Sequence, residues 1–148
     1  IAPLLIGASY ARLQPAGQSL EHGHYAQAKS QALSSLSLSA KRPEAYAIVG
    51  VVDLREGFAQ AAVPAMVKAV SYEPEGWEYQ YLLALARAGA GADPRPALRR
   101  ALVLNPPEPL LRHALLLLGP EDPRRWERLA PALLQAALAS GKLSITSL

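Results

Sequence analysis

A spacing of small and apolar residues that recurs along the chain constrains its fold more than any other feature. Gly50, Ala62, Met66, Ala69 and Pro74 stand at the relative positions expected within one 34-residue helix-turn-helix unit. Residues 23–28 show the same frame one period earlier. Because one such unit cannot bury its apolar face alone, units of this kind stack into an elongated array. The spacing therefore predicts a stack of helix pairs.

The unit that begins at Pro43 shows why these residue types are needed. Gly50 lies where the two helices of the unit must approach closely, since a side chain there would force them apart. Gly57 ends the first helix, and apolar residues at four- and three-residue spacing predict a second helix that packs on its neighbour. Pro74 ends the unit because proline cannot continue a helix without losing a backbone hydrogen bond.

This frame predicts an all-α fold, a right-handed α-solenoid of about four helix pairs in a single domain over residues 1–148. The repeats are expected near 9–42, 43–76 and 77–108, with atypical closing helices over 109–140 and a tail over 141–148. Only 32 residues separate Pro74 from Pro106, which predicts a shortened turn in the third unit. Pro15, Pro64 and Pro131 fall inside predicted helices and are expected to kink them. The helices are predicted near 2–21, 24–39, 43–56, 59–72, 77–88, 95–104, 108–118 and 123–139.

The spacing resembles the tetratricopeptide repeat (TPR) over roughly residues 9–106. The resemblance implies a concave face, lined by the first helix of each pair, that binds a protein or peptide. The Lys and Asn pattern with which some members of the family hold a C-terminal carboxylate is missing. The corresponding places hold Leu13, Gly17, Ile48, Glu78 and Leu82.

Three short strings, at 77–79, 93–96 and 104–109, resemble the repeat-bearing tails of some bacterial O-antigen ligase-like and polymerase-like membrane proteins. That resemblance implies a domain on the extracytoplasmic side of a bacterial membrane, with a membrane tether upstream of Ile1; a cytoplasmic scaffold is the alternative. The apolar residues 1–7 are far fewer than the roughly 20 that a span requires. They fit either the end of such a tether or the buried face of the first helix.

The helical register places a mixed set of aromatic, aliphatic and charged residues on the expected concave face. Such a surface suits a peptide or a helix. Tyr81 is the first candidate for an anchor, because an aromatic side chain supplies a large contact area at low entropy cost. A core position between repeats is the alternative for Tyr81, and His113 is expected either packed or facing the groove. The predicted binding residues are Tyr10, Glu44, Val51, Arg55, Glu78, Tyr81, Leu85 and His113.

Composition and motifs argue against other classes of function. The chain has no cysteine, which removes disulfides, thiolate nucleophiles and cysteine-based zinc sites. The net charge of +3 is spread along the chain and gives little support to nucleic-acid binding. Glu21, His22 and His24 are potential metal ligands, but a solvated turn is favoured and no metal site is predicted. No catalytic triad, glycine-rich phosphate loop or paired-carboxylate spacing is present, so neither an enzyme nor a cofactor is predicted.

Seven arginines fall between Arg95 and Arg128, with four acidic residues among them. Their guanidinium groups can engage phosphate or carboxylate, but a solvated face with local ion pairs is the favoured interpretation. The sequence therefore predicts a non-enzymatic protein-interaction scaffold. The alternatives are an extracytoplasmic accessory domain of a membrane glycan polymerase or ligase, and a module that forms homo-oligomers through its terminal helices.

Overall fold

A computed structural model describes residues 15–20, 22–39 and 41–143, and this part of the chain is all-α, with no β-strand. The all-α prediction is confirmed. Seven predicted helices agree with the structure to within about two residues, and of the first, predicted over 2–21, only residues 15–20 are described. Tyr10 and the rest of residues 1–14 lie outside the described residues. The helices are 15–20 (α1), Tyr25–Leu38 (α2), Pro43–Arg55 (α3), Ala59–Tyr72 (α4), Trp77–Gly89 (α5), Arg95–Leu104 (α6), Pro109–Leu118 (α7) and Pro123–Ala139 (α8).

Glycines in the turns that follow α1, α3 and α5 recur at the 34-residue interval expected from the sequence. Gly23, Gly57 and Gly91 follow one another at this interval, and each has a positive φ, of 77°, 88° and 74° respectively. This conformation is accessible to glycine at no steric cost, because glycine has no Cβ. The α1–α2, α3–α4 and α5–α6 connections therefore each contain one glycine in the left-handed region.

The third unit is shorter than the second, but the predicted reason is wrong. Three residues separate Gly91 from the start of α6, whereas one residue separates Gly57 from the start of α4. The turn is therefore longer, and the loss lies in the helix, because α6 has 10 residues and α4 has 14.

Helices that follow one another in sequence pack together from α2 to α7, and the first helices of adjacent pairs, α3 and α5, also touch. Gly50 allows the close approach of α3 and α4, as expected: a Cβ added there would lie 2.7 Å from Cε of Met66. Pro64 and Pro131 lie inside α4 and α8.

The last helix does not pack mainly on the helix that precedes it. α8 packs extensively on α5 and also reaches α3, while it touches α7, the helix that precedes it, much less. Ala130 faces Gly89 and Glu127 faces Gly91, so α8 runs along α5 in the opposite direction. With α3, α4, α6 and α8 around it, α5 is buried on almost every side, over residues 79–86 and at Ala88.

Candidate functional site

α8 packs on α5 and reaches α3, so part of the inner face that was expected to be open is covered, and this corrects part of the predicted binding site. Val51, Tyr81 and Leu85 are all 0% exposed. Burial raises the pKa of the Tyr81 hydroxyl strongly, and the nearby charge of Glu108 adds to this effect. The expectation that these three side chains face a partner is wrong, because Val51 on α3 and Tyr81 and Leu85 on α5 all lie in the hydrophobic core. Tyr81 takes the alternative role, that of a core tyrosine.

Arg55 lies at the exposed end of this covered face and links three helices. Its Nε donates a hydrogen bond to the Tyr25 hydroxyl at 3.0 Å, and its guanidinium carbon lies 5.2 Å from the centre of the Tyr25 ring. Its Nη1 donates to Oε1 of Gln135 on α8. Arg55 is therefore engaged within the chain, joining α2 and α3 to α8.

Glu44 and Glu78 are the predicted site residues that the structure brings together at the surface. Each lies in the first turn of its helix, α3 or α5, and each is half-buried. Partial loss of hydration raises the pKa of Glu73, and repulsion from Glu44 and Glu78 raises it further. Glu44 and Glu78 are thus both close enough to Glu73 to oppose its ionisation.

Two tyrosines complete this surface. The rings of Tyr46 on α3 and Tyr72 on α4 stack with their centroids 5.8 Å apart and their planes 22° from parallel. Oε2 of Glu44 is buried, and no hydrogen-bond partner reaches it among the residues that the structure describes. We call the surface formed by Glu44, Glu73, Glu78, Tyr46 and Tyr72 the acidic edge. It combines negative charge with aromatic faces where α3 and α5 begin.

His113 and the turn that contains His22 and His24, which the sequence analysis also considered, do not belong to the acidic edge. His113 is exposed on α7. Nδ1 of His22 lies 2.8 Å from the carbonyl oxygen of Gln18, and the rings of His22 and His24 are 6.4 Å apart. Within the described part of the chain, which does not include Glu21, no group of three potential metal ligands comes together.

Three of the seven arginines between Arg95 and Arg128 contact other residues of the described fold through their guanidinium groups. Arg95 forms an ion pair with Asp93, with Nε 2.8 Å from Oδ1, and its guanidinium lies 5.5 Å from the Trp126 ring. The hydrogen bonds from Arg95 hold the pKa of Asp93 below its usual value. Arg112 and Arg125 donate from Nε to the backbone carbonyls of Pro106 and Leu117, each at 3.1 Å. Of these three, Arg95 forms a local ion pair of the kind expected, whereas Arg112 and Arg125 bind backbone carbonyl groups.

Sequence reasoning missed the contacts that hold the C-terminal part of the chain. Nε1 of Trp126, a buried side chain at the start of α8, donates to the carbonyl oxygens of Leu118 and Pro120, each at 3.0 Å. Nζ of Lys142 lies 2.8 Å from Oε1 of Glu108, whose carboxylate also accepts the backbone N–H of Leu110. The sequence of α5 carried a signal for the covering helix, because its residues 81–86 are apolar on all sides.

Comparison with known proteins assigns no family. No protein-family model matches the sequence, and no curated protein matches it significantly. Among the described residues, none of the helices combines the length and the apolar character needed to cross a membrane.

Proposed function

We propose that the chain is a non-enzymatic protein-interaction scaffold, built as a TPR-like right-handed α-solenoid. The recurrence of Gly23, Gly57 and Gly91 at 34-residue intervals supports this architecture, as does the contact between α3 and α5. In this proposal α1 to α6 form three repeat pairs, and α7 and α8 form the atypical closing pair. α8 turns back onto α5 instead of extending the stack.

The acidic edge is the recognition surface in this proposal. The observation that carries it is the repulsion that Glu44 and Glu78 exert on the Glu73 carboxyl group, next in sequence to the stacked tyrosine Tyr72. Repulsion between like charges destabilises the free protein, and a cation placed among them relieves it. The tyrosine faces add a favourable site for the same cation.

The partner expected at this surface is a protein or peptide segment that carries lysine or arginine. A lysine ammonium or arginine guanidinium on such a segment would pair with the half-buried side chains of Glu44 and Glu78. Neutral apolar residues of the segment would lie against Tyr72, which is 39% exposed. This chemistry favours a basic peptide over a nucleic acid, whose phosphates the carboxylates would repel.

The test is a fluorescence-anisotropy titration with a labelled peptide of alternating lysine and alanine. The paired substitutions Glu44→Lys and Glu78→Lys are expected to weaken binding by at least about tenfold, since each replaces an attraction by a repulsion. The matched control is Glu56→Lys with Glu121→Lys, which makes the same change in net charge at two exposed positions away from the acidic edge. An equal loss of binding in both double variants, or no binding by the unmodified chain, would contradict the proposal.

An extracytoplasmic accessory domain of a membrane glycan polymerase or ligase stays a prediction from the sequence resemblance. The acidic edge is compatible with it, because a scaffold of this kind can serve as such a domain. The sequence encoded upstream of Ile1 tests it: several apolar spans there would support it.

A further inference from the structure

One face of α5 binds a helix, α8, within the molecule. We propose that the face of α5 covered by α8 is an exchangeable helix-binding site, and that the α8 of a second copy of the chain takes it, giving a domain-swapped dimer. In such a dimer each chain places its α8 on the α5 of its partner. This inference does not depend on the acidic edge.

The face of α5 is shaped for a helix with the pattern of α8. Ala130 lies in ordinary van der Waals contact with Gly89 at the C-terminal end of α5, since a Cβ added at Gly89 would lie 3.7 Å from its Cβ. Gly91, just beyond α5, leaves room for α8, because a Cβ added there would lie 2.5 Å from Oε1 of Glu127. α8 buries Trp126, Ala130, Leu133, Leu134 and Ala137, a stripe at helical spacing. A helix seated in this way uses contacts that any copy of α8 can reproduce.

The connection to α8 allows this exchange. Pro120, Glu121 and Asp122, between α7 and α8, are exposed, and α8 contacts its neighbour α7 far less than it contacts α5. Opening the linker breaks the hydrogen bonds from Trp126 to the carbonyls of Leu118 and Pro120 within one chain. Those bonds make exchange slow in the folded state, so it occurs mainly when chains refold together.

The surface next to the linker favours a second copy over an unrelated helix. Leu115 and Leu116, in the last turn of α7, are 37% and 76% exposed. In a swapped dimer the linkers of the two chains cross, and the α7 helices that precede them are brought together. Contact between the two copies of Leu116 would remove apolar surface that the monomer leaves in water.

The absence of cysteine makes a direct test available. Chains carrying Gly89→Cys alone and Ala130→Cys alone are mixed, unfolded together in urea, refolded and oxidised. The Cβ separation at this pair lies within the range of a disulfide. Refolding is done at about 1 mM, because the effective concentration of a helix on a short linker is on the order of millimolar. The expected result is a covalent heterodimer joined through residues 89 and 130, found by mass spectrometry.

Two controls make the outcome decisive. A mixture of Val103→Cys and Ala130→Cys chains measures cross-linking by random collision, since Val103 is 67% exposed on α6. The double variant Gly89→Cys with Ala130→Cys, oxidised within one chain at low concentration, holds α8 in place and is expected to stay monomeric. A yield of the 89–130 heterodimer no greater than that of the collision control would overturn the proposal.

A cysteine at position 89 would lie close to Leu54 and Ala59 and can disturb folding. Light scattering on the unmodified chain tests the proposal without this substitution. The unmodified chain refolded at about 1 mM, the effective concentration estimated above, is expected to contain dimer. Monomer alone would overturn the proposal, and so would a dimer that the locked double variant also forms, because its interface would lie elsewhere. Binding of a synthetic peptide of residues 123–139 without any dimer would also overturn it, since the face would then take a helix from another source.

Discussion

Replacing Tyr81 by alanine tests whether the middle of α5 is core or binding surface. Tyr81 is 0% exposed and is the largest of the completely buried side chains in the described part of the molecule. Truncation of a large buried aromatic residue to alanine costs about 3–5 kcal/mol, through lost transfer energy and the cavity left behind. A domain of this size loses roughly 2–4 °C in Tm for each kcal/mol. Tyr81→Ala should therefore lower Tm by roughly 6–20 °C.

Thermal unfolding followed by circular dichroism at 222 nm, with urea unfolding at 25 °C as a second measurement, gives this quantity. Tyr81→Phe keeps the ring and fills the same space, so it should retain most of the stability that Tyr81→Ala loses. The double charge reversal at Glu44 and Glu78 is the surface control, and it should change Tm by much less than the truncation.

A Tm for Tyr81→Ala within about 2 °C of that of the unmodified chain, which corresponds to less than about 1 kcal/mol, would contradict this expectation. That result would mean that the tyrosine contributes little to the core. A loss in Tyr81→Phe as large as that in Tyr81→Ala would place the stabilisation in the hydroxyl group instead of the ring.

Three further substitutions test the helix packing at Gly50, the hydrogen bonds of Trp126 and the charge repulsion at Glu73. Gly50→Leu should cost about 1–3 kcal/mol or more in urea unfolding, because the added side chain must displace Met66, which is itself completely buried; an unchanged midpoint would contradict this. Trp126→Phe should cost about 1–3 kcal/mol, measured in the same way, since the carbonyls of Leu118 and Pro120 lose their shared donor. Glu73→Gln should raise Tm at pH 7 and leave it unchanged near pH 3: a raised carboxyl pKa means that the folded state loses stability as the pH rises through that pKa, and glutamine removes this loss. Equal Tm differences at the two pH values would be evidence against the repulsion.

The helix bounds were predictable because they depend on local chemistry. Prolines at the first position of α3, α7 and α8, and glycines at positive φ after α3 and before α6, act over a few residues. The close approach at Gly50 was predictable for the same reason, since the repeat spacing places it opposite the second helix. The length of the α5–α6 turn was predicted wrongly, because a period counted between prolines does not distinguish a shorter turn from a shorter helix.

The position of α8 was not predictable from the repeat. Register identifies which residues of α3 and α5 face inward, and it did so for Val51, Tyr81 and Leu85, but it does not say what lies opposite them. The covering helix comes from more than 30 residues further along the chain, and a pattern of apolar residues carries no information on such a distant pairing. The same register selected Glu44 and Glu78, and the structure places both half-buried in the first turns of their helices. Glu73 and the Tyr46–Tyr72 stack were missed because they come together only when α3, α4 and α5 pack.

The pair formed by Glu108 and Lys142 predicts how the chain responds to acid. Burial opposes the ionisation of Glu108, but hydrogen bonds from Lys142 and from the backbone N–H of Leu110 outweigh it and hold the pKa below its usual value. A lowered carboxyl pKa contributes stability that is present above the unfolded-state pKa and is lost as the pH falls through the folded-state pKa.

Glu108→Gln should therefore reduce stability at pH 7 and make the loss of Tm between about pH 5 and pH 3 less steep than in the unmodified chain. Lys142→Met separates the two causes, since it removes the ion pair and leaves the bond from Leu110 that caps α7. Its acid response should lie between those of the unmodified chain and Glu108→Gln. The same dependence of Tm on pH in all three proteins would show that the ionisation of Glu108 is not coupled to folding. It would also show that the contact between Lys142 and Glu108 does not stabilise the folded chain.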